Sequence, residues 1–156
     1  MSDDLKGKKA PAFSMPDAEG KVHKLGDYAG RKVVLYFYPK DDTPGCTREA
    51  CGFRDLKADF DELRTVILGV SSDAAASHQK FTTKYGLNFP LLTDKDHAVA
   101  SKYGAYGEKS MYGKKVTGVI RSTFVIDAAG KVAGQWRGVK VDGHMDKVLE
   151  FVKGMP

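Results

Sequence analysis

Two apolar runs dominate this chain. Val33-Val34-Leu35-Tyr36-Phe37-Tyr38 is continuous, β-branched and aromatic, as suits a strand buried on both faces, and Pro39 ends it. Residues 65–70 (Thr-Val-Ile-Leu-Gly-Val) form a second run of that kind and close in Ser71-Ser72-Asp73. Between them Ala50, Phe53, Leu56, Phe60 and Leu63 fall near helical spacing. Thr43 offers an N-cap hydroxyl and Pro44 fits the first helical position, so one helix is predicted over about residues 44–63. Residues 74–85 read as a helix with Gly86 as its C-cap. A short strand over 89–92 and a short helix over 97–103 follow. Residues 104–118 carry glycines at 104, 107, 113 and 118 and read as a mobile loop.

Two hairpins are also predicted. Residues 12–15 and 21–24 flank the turn signal Asp17-Ala18-Glu19-Gly20, and residues 122–126 and 132–137 flank Asp127-Ala128-Ala129-Gly130. A final helix begins at Asp142, with Met145, Val148, Leu149 and Val152 on one face. The order β-β-β-α-β-α-β-α-β-β-α predicts an α/β sandwich with a central mixed sheet flanked by helices. No repeat, low-complexity segment or linker divides the chain, and residues 1–156 are expected to form one domain.

Composition narrows the function classes. Hydrophobic residues make up 42% and charged residues 29%, which argues against wholesale disorder. The start, Met1-Ser2-Asp3-Asp4-Leu5-Lys6, has no apolar stretch of the secretory kind, and residues 33–38 are too few to cross a bilayer. A cytoplasmic setting is therefore expected, with no membrane partner. The net charge of +5 is spread along the chain without a run of five like charges, so no nucleic-acid partner is expected either.

The chemistry concentrates at residues 39–51. Both cysteines lie there, Cys46 in Pro39-Lys40-Asp41-Asp42-Thr43-Pro44-Gly45-Cys46 and Cys51 five residues on. Cys46 would be the third residue of its helix, where unpaired N–H groups and the helix dipole favour negative charge, and Gly45 permits close backbone approach. Structural disulfides are rare in a reducing cytoplasm, so the pair reads as catalytic or metal-binding. Two helical residues five positions apart subtend about 140°, and their Cα atoms lie ~8–9 Å apart. A disulfide needs at most ~7 Å, so joining the two sulfurs requires the helix to unwind, and Gly45 and Gly52 ease that. A zinc site would need two more ligands, and His23, His78, His97 and His144 show no ligand-like spacing. No metal is expected, and the histidines receive no role.

The segment Tyr36-Phe37-Tyr38-Pro39…Thr43-Pro44-Gly45-Cys46-Thr47-Arg48-Glu49 resembles the peroxiredoxin signature, a proline, three residues, a threonine, two residues and a cysteine. It is most similar to the bacterioferritin-comigratory or PrxQ branch, in which a second cysteine stands five positions on. The likeness extends to Gly7-Lys8-Lys9-Ala10-Pro11-Ala12-Phe13 and to Tyr112-Gly113-Lys114-Lys115…Ile120-Arg121-Ser122-Thr123-Phe124-Val125-Ile126-Asp127. It implies a thioredoxin-like fold with an N-terminal hairpin. It also implies a thiol peroxidase acting on hydrogen peroxide and organic hydroperoxides.

The resemblance carries roles residue by residue. Cys46 takes the place of the peroxidatic cysteine and Cys51 that of the resolving one. Thr43 and Arg121 match groups that hold peroxide and thiolate, Pro39 the residue that shields the pocket, and Glu49 a carboxylate that orients the arginine. An intramolecular Cys46–Cys51 disulfide, a thioredoxin or glutaredoxin reductant and a monomer are implied with them. No haem, flavin or nicotinamide is needed, and no Gly-x-Gly-x-x-Gly follows a strand.

Acidity alone would not make such a site fast. A thiol whose pKa drops from ~8.5 to ~6 gains about 30-fold in thiolate at pH 7. If peroxide attack follows the slope known for disulfide exchange, intrinsic nucleophilicity falls roughly 10- to 20-fold. The two nearly cancel, so the site must stabilise the transition state itself. Two other readings stay open at this point. A thioredoxin-class oxidoreductase would have Cys-x-x-Cys and a proline before a late strand, and here no proline lies between Pro90 and Pro156. A redox sensor or holdase would use the same thiol and differ only in turnover.

Overall fold

A computed structural model describes residues 4–156, apart from the side chain of Met111. The chain opens with a hairpin of β1 (Ser14–Pro16) and β2 (Val22–Lys24), then a short 3-10 turn (Leu25–Tyr28) and β3 (Lys32–Phe37). Two helices follow, α1 (Pro44–Asp55) and α2 (Lys57–Glu62), then β4 (Thr65–Ser71), α3 (Ala75–Tyr85) and β5 (Leu91–Thr93). After α4 (Ala98–Lys102) come β6 (Tyr106–Met111), β7 (Lys114–Val119), β8 (Ser122–Ile126), β9 (Val132–Arg137) and α5 (His144–Lys153). Of the start read above as unlike a secretory signal, Met1-Ser2-Asp3 lies outside the described residues.

Five strands make the central sheet in the order β5-β4-β3-β8-β9. β3 pairs parallel with β4 and antiparallel with β8, so the sheet is mixed as predicted. Period-2 alternation splits β3 between two cores. Val33, Leu35 and Phe37 face Phe13, Met15, Leu68, Val70, Tyr103 and Phe124. Val34 and Tyr36, with Tyr38 beyond the strand, face Cys46, Ala50 and Phe53 of α1, Phe60 of α2, Phe81 of α3 and Val148 of α5. Burial on both sides is why the run at 33–38 carries no polar residue.

Three predictions need correction. The helix over 44–63 breaks at Leu56, whose ψ of 3° ends α1 before α2 begins. The break lets Phe53 and Phe60 both reach the core, with ring centroids 6.1 Å apart. The mobile loop over 104–118 is instead the hairpin β6–β7, paired from Tyr106–Val119 to Met111–Lys114. Tyr112 and Gly113 turn it with φ of 53° and 77°, the two left-handed residues that a two-residue hairpin loop of right-handed twist requires. Finally, Thr43 stands at the N-cap with extended backbone but its hydroxyl caps nothing; it donates to the Lys40 carbonyl at 3.0 Å.

Candidate active site

The site lies at the carboxyl ends of the parallel strands, where open α/β sheets place their ligands. β3 ends at Phe37, and the segment 38–43 carries the chain over the sheet edge into α1. On the neighbouring antiparallel strand Phe37 pairs with Ser122, so the same register continued one step sets Arg121 beside the exit of β3. Residues 75 positions apart are thereby brought to one point.

Cys46 is the third residue of α1 and only 1% exposed. The Arg121 guanidinium spans two partners: Nη2 donates to Cys46 Sγ at 3.3 Å and Nη1 to Glu49 Oε1 at 2.7 Å. Glu49 lies one helical turn past Cys46 and is fully buried, and among the described residues its Oε2 has no hydrogen-bond partner. Burial pushes its carboxyl up to about 7 against the opposing pull of Arg121. Arg121 loses solvation as well, yet the charges of Glu49 and Cys46 hold its guanidinium above the ordinary range. A cation fixed between a thiol and a carboxylate is a preorganised donor pair for charge developing at sulfur and oxygen.

The remaining predicted residues are placed less directly. Thr43 is half-buried, one turn before Cys46. Pro39 is half-buried immediately after β3. Cys51 is half-buried within the unbroken α1, and both thiols are free. The helix keeps them at the separation that forbids a disulfide. Tyr112 of the β6–β7 turn is 99% exposed.

Sequence reasoning missed a buried polar group beneath the 38–43 segment. Asp41 accepts from Tyr38 Oη at 2.5 Å and Ser77 Oγ at 2.8 Å, and His78 Nδ1 stands 2.7 Å from the same carboxylate. His78 Nε2 lies 3.2 Å from the Leu92 carbonyl. The Asp41 N–H donates to Asp73 Oδ2 at 2.8 Å. Asp41 sat within the signature and Asp73 closed a strand, but only chain crossing brings them together. Two other histidines are also committed to the fold, His23 against Asp17 and Tyr28, and His144 2.8 Å from Thr123 Oγ1. Burial, with Lys147 and Arg121 adding to it, pulls His144 down to about 4.

Comparison with known proteins agrees with this geometry. The family model described as AhpC/TSA matches residues 6–135. A putative peroxiredoxin bcp of Coxiella burnetii is 50% identical over 143 residues, covering 92% of this chain and 95% of the relative. Peroxiredoxin Bcp of Bacillus subtilis is 46% identical over 149 residues, covering 96% and 95%. Among solved structures, the Xanthomonas campestris bacterioferritin comigratory protein, studied for alkyl peroxide reduction, superposes with a TM-score of 0.85 at 44% identity over 90% of each chain. BcpB of Mycobacterium tuberculosis gives 0.86 at 36% identity, over 97% of this chain and 98% of that one. The chain belongs to the AhpC/TSA family, among the peroxiredoxins of the Bcp and PrxQ kind. Its thioredoxin-like fold and its class, thiol peroxidase, follow from that membership.

Proposed function

We propose that Cys46 is the sulfur that attacks hydroperoxide, with Arg121 and Thr43 holding the substrate, Glu49 orienting Arg121, Pro39 shielding the pocket and Cys51 resolving the product. The single observation that carries this reading is the guanidinium shared between Cys46 and Glu49. The Lys40 carbonyl can only accept, so the Thr43 hydroxyl spends its proton there and offers its lone pairs outward. Thr43 is then an acceptor for the peroxide O–H, and Arg121 supplies donors to the oxygens.

In the first step the Cys46 thiolate gives an electron pair to the terminal peroxide oxygen. The S–O bond forms and the O–O bond breaks, its pair going to the leaving alkoxide. The proton of the terminal O–H passes to that alkoxide, so the products are a sulfenate and an alcohol, or water from hydrogen peroxide. The sulfenate takes up a proton from solvent, the Cys51 thiolate attacks the sulfenic sulfur, and the S–S bond forms as the S–O bond breaks; the departing hydroxide takes a second solvent proton and leaves as water. A thioredoxin-type dithiol, or glutaredoxin, restores both thiols by disulfide exchange.

The second step needs α1 to unwind at its start. Its outer ties there are the Arg48–Asp142 pair and Lys84 Nζ with Tyr85 Oη on Asp42 at 2.8 and 2.7 Å. Exposed ion pairs of this kind are screened by solvent and are a weak restraint. The named groups gather around one central sheet, which suits a single domain, and a monomer is part of the proposal. A reducing cytoplasm, where structural disulfides are rare, is the proposed setting for such a redox-active pair. Among the described residues no helix is long and apolar enough to cross a membrane.

The test is to add one equivalent of peroxide to wild type, Cys46→Ser and Cys51→Ser and weigh each intact protein. Wild type should lose two hydrogens, Cys51→Ser should gain an oxygen or give mixed products, and Cys46→Ser should react far more slowly. An oxygen adduct on Cys51 in Cys46→Ser, formed as fast as in wild type, would reverse the assignment.

A further inference from the structure

The Lys40–Asp41 peptide is gripped on both edges. Its N–H donates to Asp73 Oδ2 at 2.8 Å, and its C=O accepts from Thr43 Oγ1 at 3.0 Å. A trans peptide is planar, with N–H and C=O pointing in opposite directions. Whatever fixes the N–H therefore aims the carbonyl. Asp73, at the end of β4, is itself held: Ser71 Oγ donates to its Oδ2 at 2.7 Å, and Thr93 Oγ1 donates to its backbone carbonyl at 2.8 Å. The Asp41 side chain is pinned independently by Tyr38, Ser77 and His78, so the peptide is fixed without sharing those partners.

We infer that Asp73 is a positioning residue for the peroxidase reaction. It orients the Lys40–Asp41 peptide so that the Lys40 carbonyl takes the Thr43 proton and leaves the Thr43 oxygen facing substrate as an acceptor. The relay runs from the end of β4 through one backbone amide to a side chain one turn before Cys46. Without Asp73 the peptide loses its restraint, the Thr43 hydroxyl can turn to donate, and the peroxide O–H loses its acceptor. Arg121 and Cys46 are untouched by this, because their contacts come from β8 and α1. The inference rests on the acceptor role given to Thr43 above.

The experiment measures two rates on each variant: oxidation of Cys46 by hydrogen peroxide, and alkylation of Cys46 by iodoacetamide, which needs no oxygen acceptor. Asp73→Ala should lower the peroxide rate constant about tenfold, the scale of one lost oriented hydrogen bond, and leave alkylation within about twofold. Asp73→Asn, whose amide oxygen can still accept from the Asp41 N–H, should recover to within about threefold of wild type. The double variant Asp73→Ala/Thr43→Ala should match Thr43→Ala alone, since both remove one device. Should Asp73→Ala fail to fold, Asp73→Ser, too short to reach the amide, reads the same quantity. Parallel loss of alkylation, full additivity with Thr43→Ala, or an unchanged peroxide rate would each overturn the inference. Loss in Thr43→Ala with none in Asp73→Ala overturns the inference alone, whereas a Thr43→Ala variant equal to wild type removes the acceptor role beneath it.

Discussion

Arg121 and Gly45 occupy adjoining space: a β-carbon on residue 45 would stand 3.1 Å from Arg121 Nη2, the nitrogen that donates to Cys46. The guanidinium cannot swing aside freely, because its other nitrogen is bound to Glu49. The glycine before the cysteine thus serves the approach of the arginine. Gly45→Ala should lower the peroxide rate constant by between about tenfold and 100-fold, the cost of a small misplacement at a reacting centre. Stopped-flow oxidation checks the rate and thermal unfolding checks the fold, which should be little changed.

Glu49 makes stability depend on pH. Its carboxyl is raised from 4.5 to about 7 by burial, so between those values the folded chain holds a proton that the unfolded chain has released. Stability contributed this way is complete below pH 4.5 and is lost as pH rises through 7. Urea unfolding at stepped pH should show wild type losing about 3 kcal/mol relative to Glu49→Gln across the window. Equal pH dependence in the two proteins would contradict a buried, half-partnered carboxyl.

The buried Asp41–His78 contact should matter far more than its surface counterparts. Removing His78 takes one of three side-chain partners from the buried Asp41 carboxylate and leaves a void where the ring packed. His78→Ala should cost about 2–3 kcal/mol in urea unfolding, whereas Lys84→Ala, on the surface, should leave the unfolding midpoint close to that of wild type. Comparable losses for the two would mean that His78 is not held as described.

Gly52 affects the second chemical step. It lies inside α1 beside Cys51, where a β-carbon would run into Met145 Cε, the far end of a flexible side chain. Gly52→Ala should let Met145 move and stiffen the helix by about 1 kcal/mol, slowing disulfide formation about fivefold. Sulfenic acid formation should be unchanged. Quenched-flow mass analysis separates the two, and an equal slowing of both would argue that Gly52 shapes the peroxide pocket instead.

Much of this protein was legible in its residues, because the relevant signals are local. The buried strands at 33–38 and 65–70 announce themselves by unbroken apolar character, and Gly86 by its left-handed cap at φ 61°. Cys46 is set by Thr43-Pro44-Gly45, whose proline is preorganised for the first helical position. The β6–β7 hairpin was not legible: its turn is Tyr112-Gly113 rather than Asn-Gly, and its strands carry Lys109, Lys114 and Lys115 with no buried face to give alternation. The break at Leu56 was hidden for a related reason, since helical spacing continues across it and only packing of Phe53 against Phe60 interrupts the backbone.

The amino acids alone thus determined which sulfur carries the chemistry and what surrounds it within a few residues, through helix capping and strand burial. Tertiary structure decided what reaches that sulfur from afar. The register of β8 on β3 delivers Arg121, and the end of β4 brings Asp73 to the amide of Asp41. Such contacts depend on strand order and pairing, which no window along the chain contains.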